Sequence, residues 1–260
     1  MIGIIGGSGL YNMEGIVLRE KKNISTPFGE PSGPYEIGEF SGVDIIFLPR
    51  HGPGHTIPPH RINYRANIWG FKQIGVERIM SVSAAGGLRL RMKPGTITVL
   101  DQMIDMTSGR EGTFFDGVNG VAHIDFTEPF CPELRKAIIS AAKKSGIRIK
   151  KSGTYVCANG PRLETKAEIG LFAGFGGDVV GMTAMPEAAL AREAEICYGG
   201  IAIVTNYAAG ILDKKLTAKE VIEEMNKTAG QVRKLLKAAL SSVLSHRGCA
   251  CSEALREAKV

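Results

Sequence analysis

A three-layer α/β/α fold around a central mixed, mainly parallel sheet is the class this sequence predicts. Three observations carry that expectation. Short runs rich in β-branched residues alternate with stretches of helical apolar spacing, which is how parallel βαβ units read in sequence. Several of the apolar runs end in glycine-rich or polar clusters, as strands do where they leave a buried sheet toward a ligand. The 260 residues are 44% hydrophobic and 22% charged, enough to bury a full core and too ordinary for disorder, collagen or a coiled coil.

The elements follow in order. Residues 2–5 open the chain as a strand, and strands are expected again at 43–48 and 79–84, with helical spacing over 63–74 between them. Strands at 96–100 and 154–157 flank a helix over 132–145, where Leu134, Ile138, Ile139 and Ala142 recur on one face. A helix over 166–172 leads to a short strand at 179–180. The next helix, 186–196, starts at Pro186, a residue suited to the first helical position. A strand at 201–204 precedes the last helix, 218–244, whose start is marked by Thr217 and Glu220 in capping-box spacing. No repeat, low-complexity segment or linker-like run divides the chain. A single domain over 1–260 is expected, with 245–260 a C-terminal tail carrying Cys249-Ala250-Cys251.

The net charge is +6, and its excess is local. Residues 131–151 hold seven basic side chains against one acid, Glu133. They read as the wet face of the 132–145 helix. No aromatic residues interleave with them and no nucleic-acid motif is present, so no nucleic-acid partner is expected. No apolar stretch approaches the roughly 18 residues of a membrane helix. The opening MIGIIGGSGL lacks a basic leader, so neither a membrane nor a signal peptide is expected. Five scattered cysteines do not make a secreted disulfide framework, which points to a reducing cytoplasm. Cys249 and Cys251 are spaced too tightly for an ordinary zinc pair and read as free thiols or a strained, reducible disulfide.

Strand ends carry the chemistry. Gly6-Gly7-Ser8-Gly9 follows the first strand and reads either as a plain tight turn or as a loop whose backbone N–H groups and Ser8 hydroxyl converge on an anion. The full dinucleotide fingerprint, the Walker A lysine and the nucleophile elbow are all absent. Arg50-His51 follows the second strand, offering a planar donor fork for phosphate oxygens beside a pH-dependent donor. His55 and His60 lie close by without a carboxylate or thiol at metal spacing, so no metal site is expected. Ser83-Ala84-Ala85-Gly86-Gly87, Gly181-Met182-Thr183 and Asn206-Tyr207-Ala208 end three more runs. Residues 158–165 read as a loop entering a helix.

Taken together these pieces resemble one family. The ordered series Gly-Gly-Ser-Gly, Arg-His-Gly, Asn-Tyr-Arg-Ala-Asn-Ile, Ser-Ala-Ala-Gly, Glu-Pro-Phe-Cys-Pro, Gly-Pro-Arg-Leu-Glu-Thr, Gly-Met-Thr and Thr-Asn-Tyr is similar to the trimeric purine nucleoside and methylthioadenosine phosphorylases, over about residues 1–244. The resemblance implies a nucleoside phosphorylase-like fold that cleaves a purine nucleoside with inorganic phosphate. The products would be free base and pentose 1-phosphate. No metal or organic cofactor is implied, phosphate being a co-substrate, and the expected assembly is a homotrimer or a hexamer built from two trimers.

By the same resemblance, Ser8, Arg50, His51, Ser83, Ala84 and Thr183 would bind phosphate, and Arg50, His51 and Asn206 would serve catalysis. Most members have Thr at the Ser8 position. Met182, Leu163, Glu164, Asn206, Tyr207 and Ala208 would bind the nucleoside. His123 lies where the family borrows residues from an adjacent subunit and is a candidate to approach the sugar's 5′ substituent or a packed structural histidine. Residues 209–212 are a candidate apolar methylthio pocket or simple packing. A 6-oxopurine presents an N1–H donor that a carboxylate accepts, whereas adenine has an acceptor at N1. Glu164 and Asn206 match the 6-oxopurine pattern; adenine-selective members resemble Asp at positions 206 and 208 and a small residue at 164. The expected substrates are therefore inosine, guanosine or methylthioinosine, with methylthioadenosine as the alternative and a non-catalytic nucleoside-binding module as a remote one.

Overall fold

In a computed structural model of the chain, residues 1–7, 15–118, 120–213, 216–243 and 246–260 are described. The apolar opening run becomes strand β1 (Ile2–Gly6), buried along its whole length. A polar, exposed ribbon follows, β2 (Ile16–Lys22), and then β3 (Tyr35–Phe40) and β4 (Val43–Pro49). Helix α1 (Tyr64–Gln73) leads to β5 (Arg78–Gly87), and β6 (Ile97–Val99) and β7 (Gln102–Met106) precede helix α2 (Pro132–Lys144). The second half runs β8 (Thr154–Ala158), α3 (Lys166–Gly174), β9 (Val179–Gly181), α4 (Ala184–Glu193), β10 (Cys197–Tyr207) and α5 (Ala218–Leu240).

These strands join one mixed sheet. Its main path is β2-β3-β4-β1-β5-β9-β8-β7, with β10 paired to β5 and β6. The pairings of β1 with β4 and β5, and of β5 with β10, are parallel. Their carboxyl ends therefore emerge together. Helices α1 and α4 pack against one another, as do α2 and α5. Phe71 and Leu190 belong to one apolar core; Leu134, Ile138, Leu235 and Leu236 belong to another on the opposite side. A smaller cluster sets Ile169 and Phe172 of α3 against Val156 and Val180. This is the expected three-layer arrangement.

Local chemistry fixes the helix ends. Asn63 caps α1 by accepting from the Ala66 N–H at 3.0 Å. Thr217 caps α5 by accepting from the Glu220 N–H at 3.3 Å, and a two-way capping box joins Thr165 and Glu168 at the start of α3. Met185 is non-helical (φ −113°, ψ 135°), so the regular turns of α4 begin at Pro186, as its sequence suggests. Helix α5 ends at Leu240, short of the expected 244, a position outside the described residues. Lys136, Lys143, Lys144, Arg148, Lys150 and Lys151 are exposed, so this basic run is a solvated surface. Among the described residues, no helix is long and apolar enough to cross a membrane.

Candidate active site

A cavity of about 430 Å³ opens where these strands end. Gly7 reaches it from β1, Arg50 and His51 from β4, and Ser83 to Gly86 from β5. Val180 to Thr183 come from β9 and its exit, and Thr205 and Asn206 from β10. Leu163 and Glu164 close one side from the loop before α3, and Leu216 and Val221 approach from the start of α5. The volume suits a small organic ligand. Strand β10 slips register against β5 between Val204 and Asn206. Such a bulge turns a side chain away from the regular alternation, and Asn206 lies just beyond this one.

Arg50 is fully buried, and its donors are largely committed. Its Nε donates to Glu187 Oε2 at 2.7 Å, and its Nη2 donates to Glu187 Oε1 at 2.8 Å and to Ser81 Oγ. Nη1 donates to the Val82 carbonyl at 3.1 Å. A guanidinium has five N–H groups, so one Nη1 hydrogen is left over on a group that lines the cavity. The hydroxyls of Ser81 and Tyr198 also donate to Glu187 Oε1, at 2.9 and 2.6 Å. Burial alone would lower the Arg50 pKa, but the Glu187 carboxylate more than offsets it, and Arg50 stays cationic. Gly7 makes room for this arrangement: a Cβ there would stand 2.9 Å from both Arg50 Nη1 and the Val82 carbonyl oxygen.

His51 behaves differently. Burial, and then the Arg50 charge, push its pKa down to about 4. A neutral imidazole whose Nδ1 lies 2.9 Å from the Ile57 carbonyl oxygen must carry its proton there, which leaves a lone pair on Nε2. The His55 ring stacks on it at 4.4 Å between centroids. Ser83 and Thr183 are buried hydroxyl residues of the same cavity.

At the other end, Glu164 is half-buried, and desolvation pushes its carboxyl pKa up. The Asn206 amide is oriented on both sides. Its Oδ1 accepts from Thr205 Oγ at 2.8 Å and its Nδ2 donates to the Tyr207 carbonyl at 2.9 Å. One lone pair and one N–H remain for a ligand. Met182 lines the cavity above Gly181, where any side chain would overlap the Tyr155 hydroxyl.

The structure thus gathers Arg50, His51, Ser83, Ala84, Leu163, Glu164, Met182, Thr183, Asn206 and Ala208 around one cavity. Two expected residues, Tyr207 and His123, are not among its walls, and a third, Ser8, lies outside the described residues. The Tyr207 hydroxyl donates to the Leu90 carbonyl at 3.1 Å, and its residue lines a neighbouring hollow instead, because the β10 alternation turns it away from Asn206. His123 is absent from the walls in its own chain, where its N–H donates to the Ala258 carbonyl of the tail at 2.8 Å. Residues 209–212 are not in the walls either; Leu216 and Val221 hold that place. Glu187, Ser81 and Tyr198 gave no signal as motifs, since each is an ordinary residue within a helix or strand, and Thr205 entered only as part of Thr-Asn-Tyr without a role of its own.

The phosphorylase superfamily model matches residues 1–241. The chain belongs to that superfamily. It is 51% identical to the 6-oxopurine nucleoside phosphorylase of Pyrococcus furiosus, with 99% of this chain and 98% of that protein covered. It is equally 51% identical to a protein of Thermodesulfovibrio yellowstonii named a probable S-methyl-5′-thioinosine phosphorylase, covering 99% and 96%. Among solved structures, it superposes on the methylthioadenosine phosphorylase of Schistosoma mansoni in complex with adenine. The TM-score is 0.91 at 34% identity, with 98% of this chain and 96% of that one covered. As a superfamily member the chain has its cavity where the parallel strands β1, β4, β5 and β10 end.

Proposed function

We propose that this phosphorylase-superfamily chain catalyses phosphorolysis of 6-oxopurine nucleosides, giving the free base and a ribose or methylthioribose 1-phosphate. The observation that carries the reading is the placement of Glu164 and Asn206 in one cavity with Arg50, His51, Ser83 and Thr183. A carboxylate accepts the N1–H that a 6-oxopurine offers and adenine lacks. The remaining Asn206 donor and acceptor suit N7 and O6.

Phosphate would lie at the other end, held by the remaining Arg50 Nη1–H, the Ser83 and Thr183 hydroxyls and the Ala84 backbone. The His51 Nε2 lone pair can accept from the P–OH of hydrogen phosphate. Negative charge then stands beside the anomeric carbon, where it stabilises oxocarbenium character and captures the cation. Asn206 supports charge moving onto the purine, and Met182 packs the sugar. No covalent enzyme nucleophile and no cofactor enter this scheme. Leu216 and Val221 give an apolar wall that suits a 5′-methylthio group, favouring methylthioinosine among the candidates. Cytoplasmic function and a homotrimeric or hexameric assembly belong to the same proposal.

The experiment is a substrate panel with phosphate in which base and 5′ group vary independently. Turnover of inosine or methylthioinosine well above the matching adenine nucleosides supports the assignment. A preference for methylthioadenosine would transfer it to the alternative.

A further inference from the structure

The C-terminal tail brings together four sulfurs from three distant places in the sequence. Cys131 stands at the N-terminal end of α2, Cys197 opens β10, and Cys249 and Cys251 lie at a 3-10 turn in the tail, Ala250–Glu253. All four Sγ atoms lie within 4.8 Å of one another. Cys249 Sγ is 3.7 Å from that of Cys131 and 3.3 Å from that of Cys197. Cys131, Cys197 and Cys251 are buried, while Cys249 is partly exposed. None of the four touches the nucleoside cavity.

We propose that Cys131, Cys197, Cys249 and Cys251 form a closed tetrathiolate site for a zinc-type divalent cation that clamps the tail to the body. In a tetrahedral site with Zn–S bonds of about 2.3 Å, neighbouring sulfurs stand about 3.8 Å apart, close to the separations seen here. Four soft donors without a carboxylate select zinc over magnesium or calcium, and leave no open position for substrate. The tight C-x-C spacing, which speaks against an isolated two-cysteine site, ceases to matter once two further thiols from the body complete the set. Cys131 immediately precedes the 13-residue helix α2, so a regular element of the body fixes its place in the cluster. Partly exposed Cys249 gives the ion a way in.

Neighbouring contacts hold the tail in register for this role. The Gly248 N–H donates to Glu133 Oε1 at 2.8 Å, and the Leu255 N–H donates to Glu195 Oε1 at 3.3 Å. Binding forms four S–metal bonds and releases four thiol protons to solvent, with no change of oxidation state. Beyond the cluster, the tail pairs with residues 121–123: Val260 N–H donates to the Val121 carbonyl at 3.1 Å and His123 N–H to the Ala258 carbonyl at 2.8 Å. The ion therefore anchors a strap that also pins the loop before α2.

The test uses the full chain purified under reductant. Elemental analysis is expected to give about one zinc per chain, and replacement by Co²⁺ to give thiolate-to-cobalt charge-transfer bands with tetrahedral d–d absorption. The double variant C249S/C251S should lose the metal and melt several degrees lower, with inosine phosphorolysis at moderate temperature unchanged. If that variant fails to fold, the Co²⁺ spectrum of the unaltered chain still decides. The proposal is overturned if the reduced protein, supplied with Zn²⁺, holds no metal and titrates with all its thiols free. It is equally overturned if the protein as isolated carries these cysteines as disulfides and, once reduced, still takes up no Zn²⁺ or Co²⁺.

Discussion

Arg50 and His51 are adjacent in sequence and meet opposite electrostatic demands. Arg50 keeps its charge because Glu187 accepts from it twice. Replacing Glu187 with Gln leaves a buried cation without its counter-charge and is expected to cost about 3–5 kcal/mol in chemical denaturation. His51 stays neutral, its pKa lowered to about 4 from an ordinary 6.5. Between those values the unfolded chain binds the extra proton. The His51 contribution to stability is thus complete above pH 6.5 and shrinks as pH falls toward 4, by up to about 3 kcal/mol. H51Q should flatten the pH dependence of the urea midpoint across that window; an unchanged slope would contradict the account. At the base end, N206D is expected to raise activity on adenine nucleosides relative to inosine. The strand-end residues were legible because glycine, Arg-His and Asn break the apolar runs there. Glu187 was not, since nothing in a helical Pro-Glu-Ala marks a partner 137 positions upstream.

Among the elements, those missed in sequence are the polar ones. Strand β2 is exposed along nearly its whole length and is held by cross-strand pairs such as Lys21–Glu36 at 2.6 Å and Arg19–Glu39 at 3.1 Å. It has no apolar alternation to reveal it. Strands β3 and β7 likewise mix apolar and polar positions, so their pairing depends on neighbours that sequence does not show. Buried β1, β4 and β5 were readable because both faces meet helices. The α3 cap bears on the proposed base contact, since Thr165 follows Glu164 directly. T165A should cost about 1 kcal/mol of stability and, by loosening that turn, raise KM for inosine more than it lowers kcat. In the core, L235A on α5 should cost about 2–5 kcal/mol without altering substrate preference.

At the scale of the molecule, one sheet brings parallel strand ends together and the charge distribution stands apart from them. The +6 excess sits on α2 and the segment that follows it, residues 131–151, whereas the buried Arg50 cation in the cavity wall is neutralised by Glu187. Reversing Lys136, Lys143 and Lys144 to Glu should therefore leave phosphorolysis unchanged at moderate salt. A large loss of activity would show that long-range steering by this face brings the anion in.

The central claim is that Glu164 and Asn206 read a 6-oxopurine. Its most direct measurement is kcat/KM for phosphate-dependent cleavage of inosine and adenosine by the unaltered enzyme. Because a carboxylate facing adenine N1 meets a second acceptor, inosine is expected to exceed adenosine by about tenfold or more. An equal rate, or a preference for adenosine, would contradict the account.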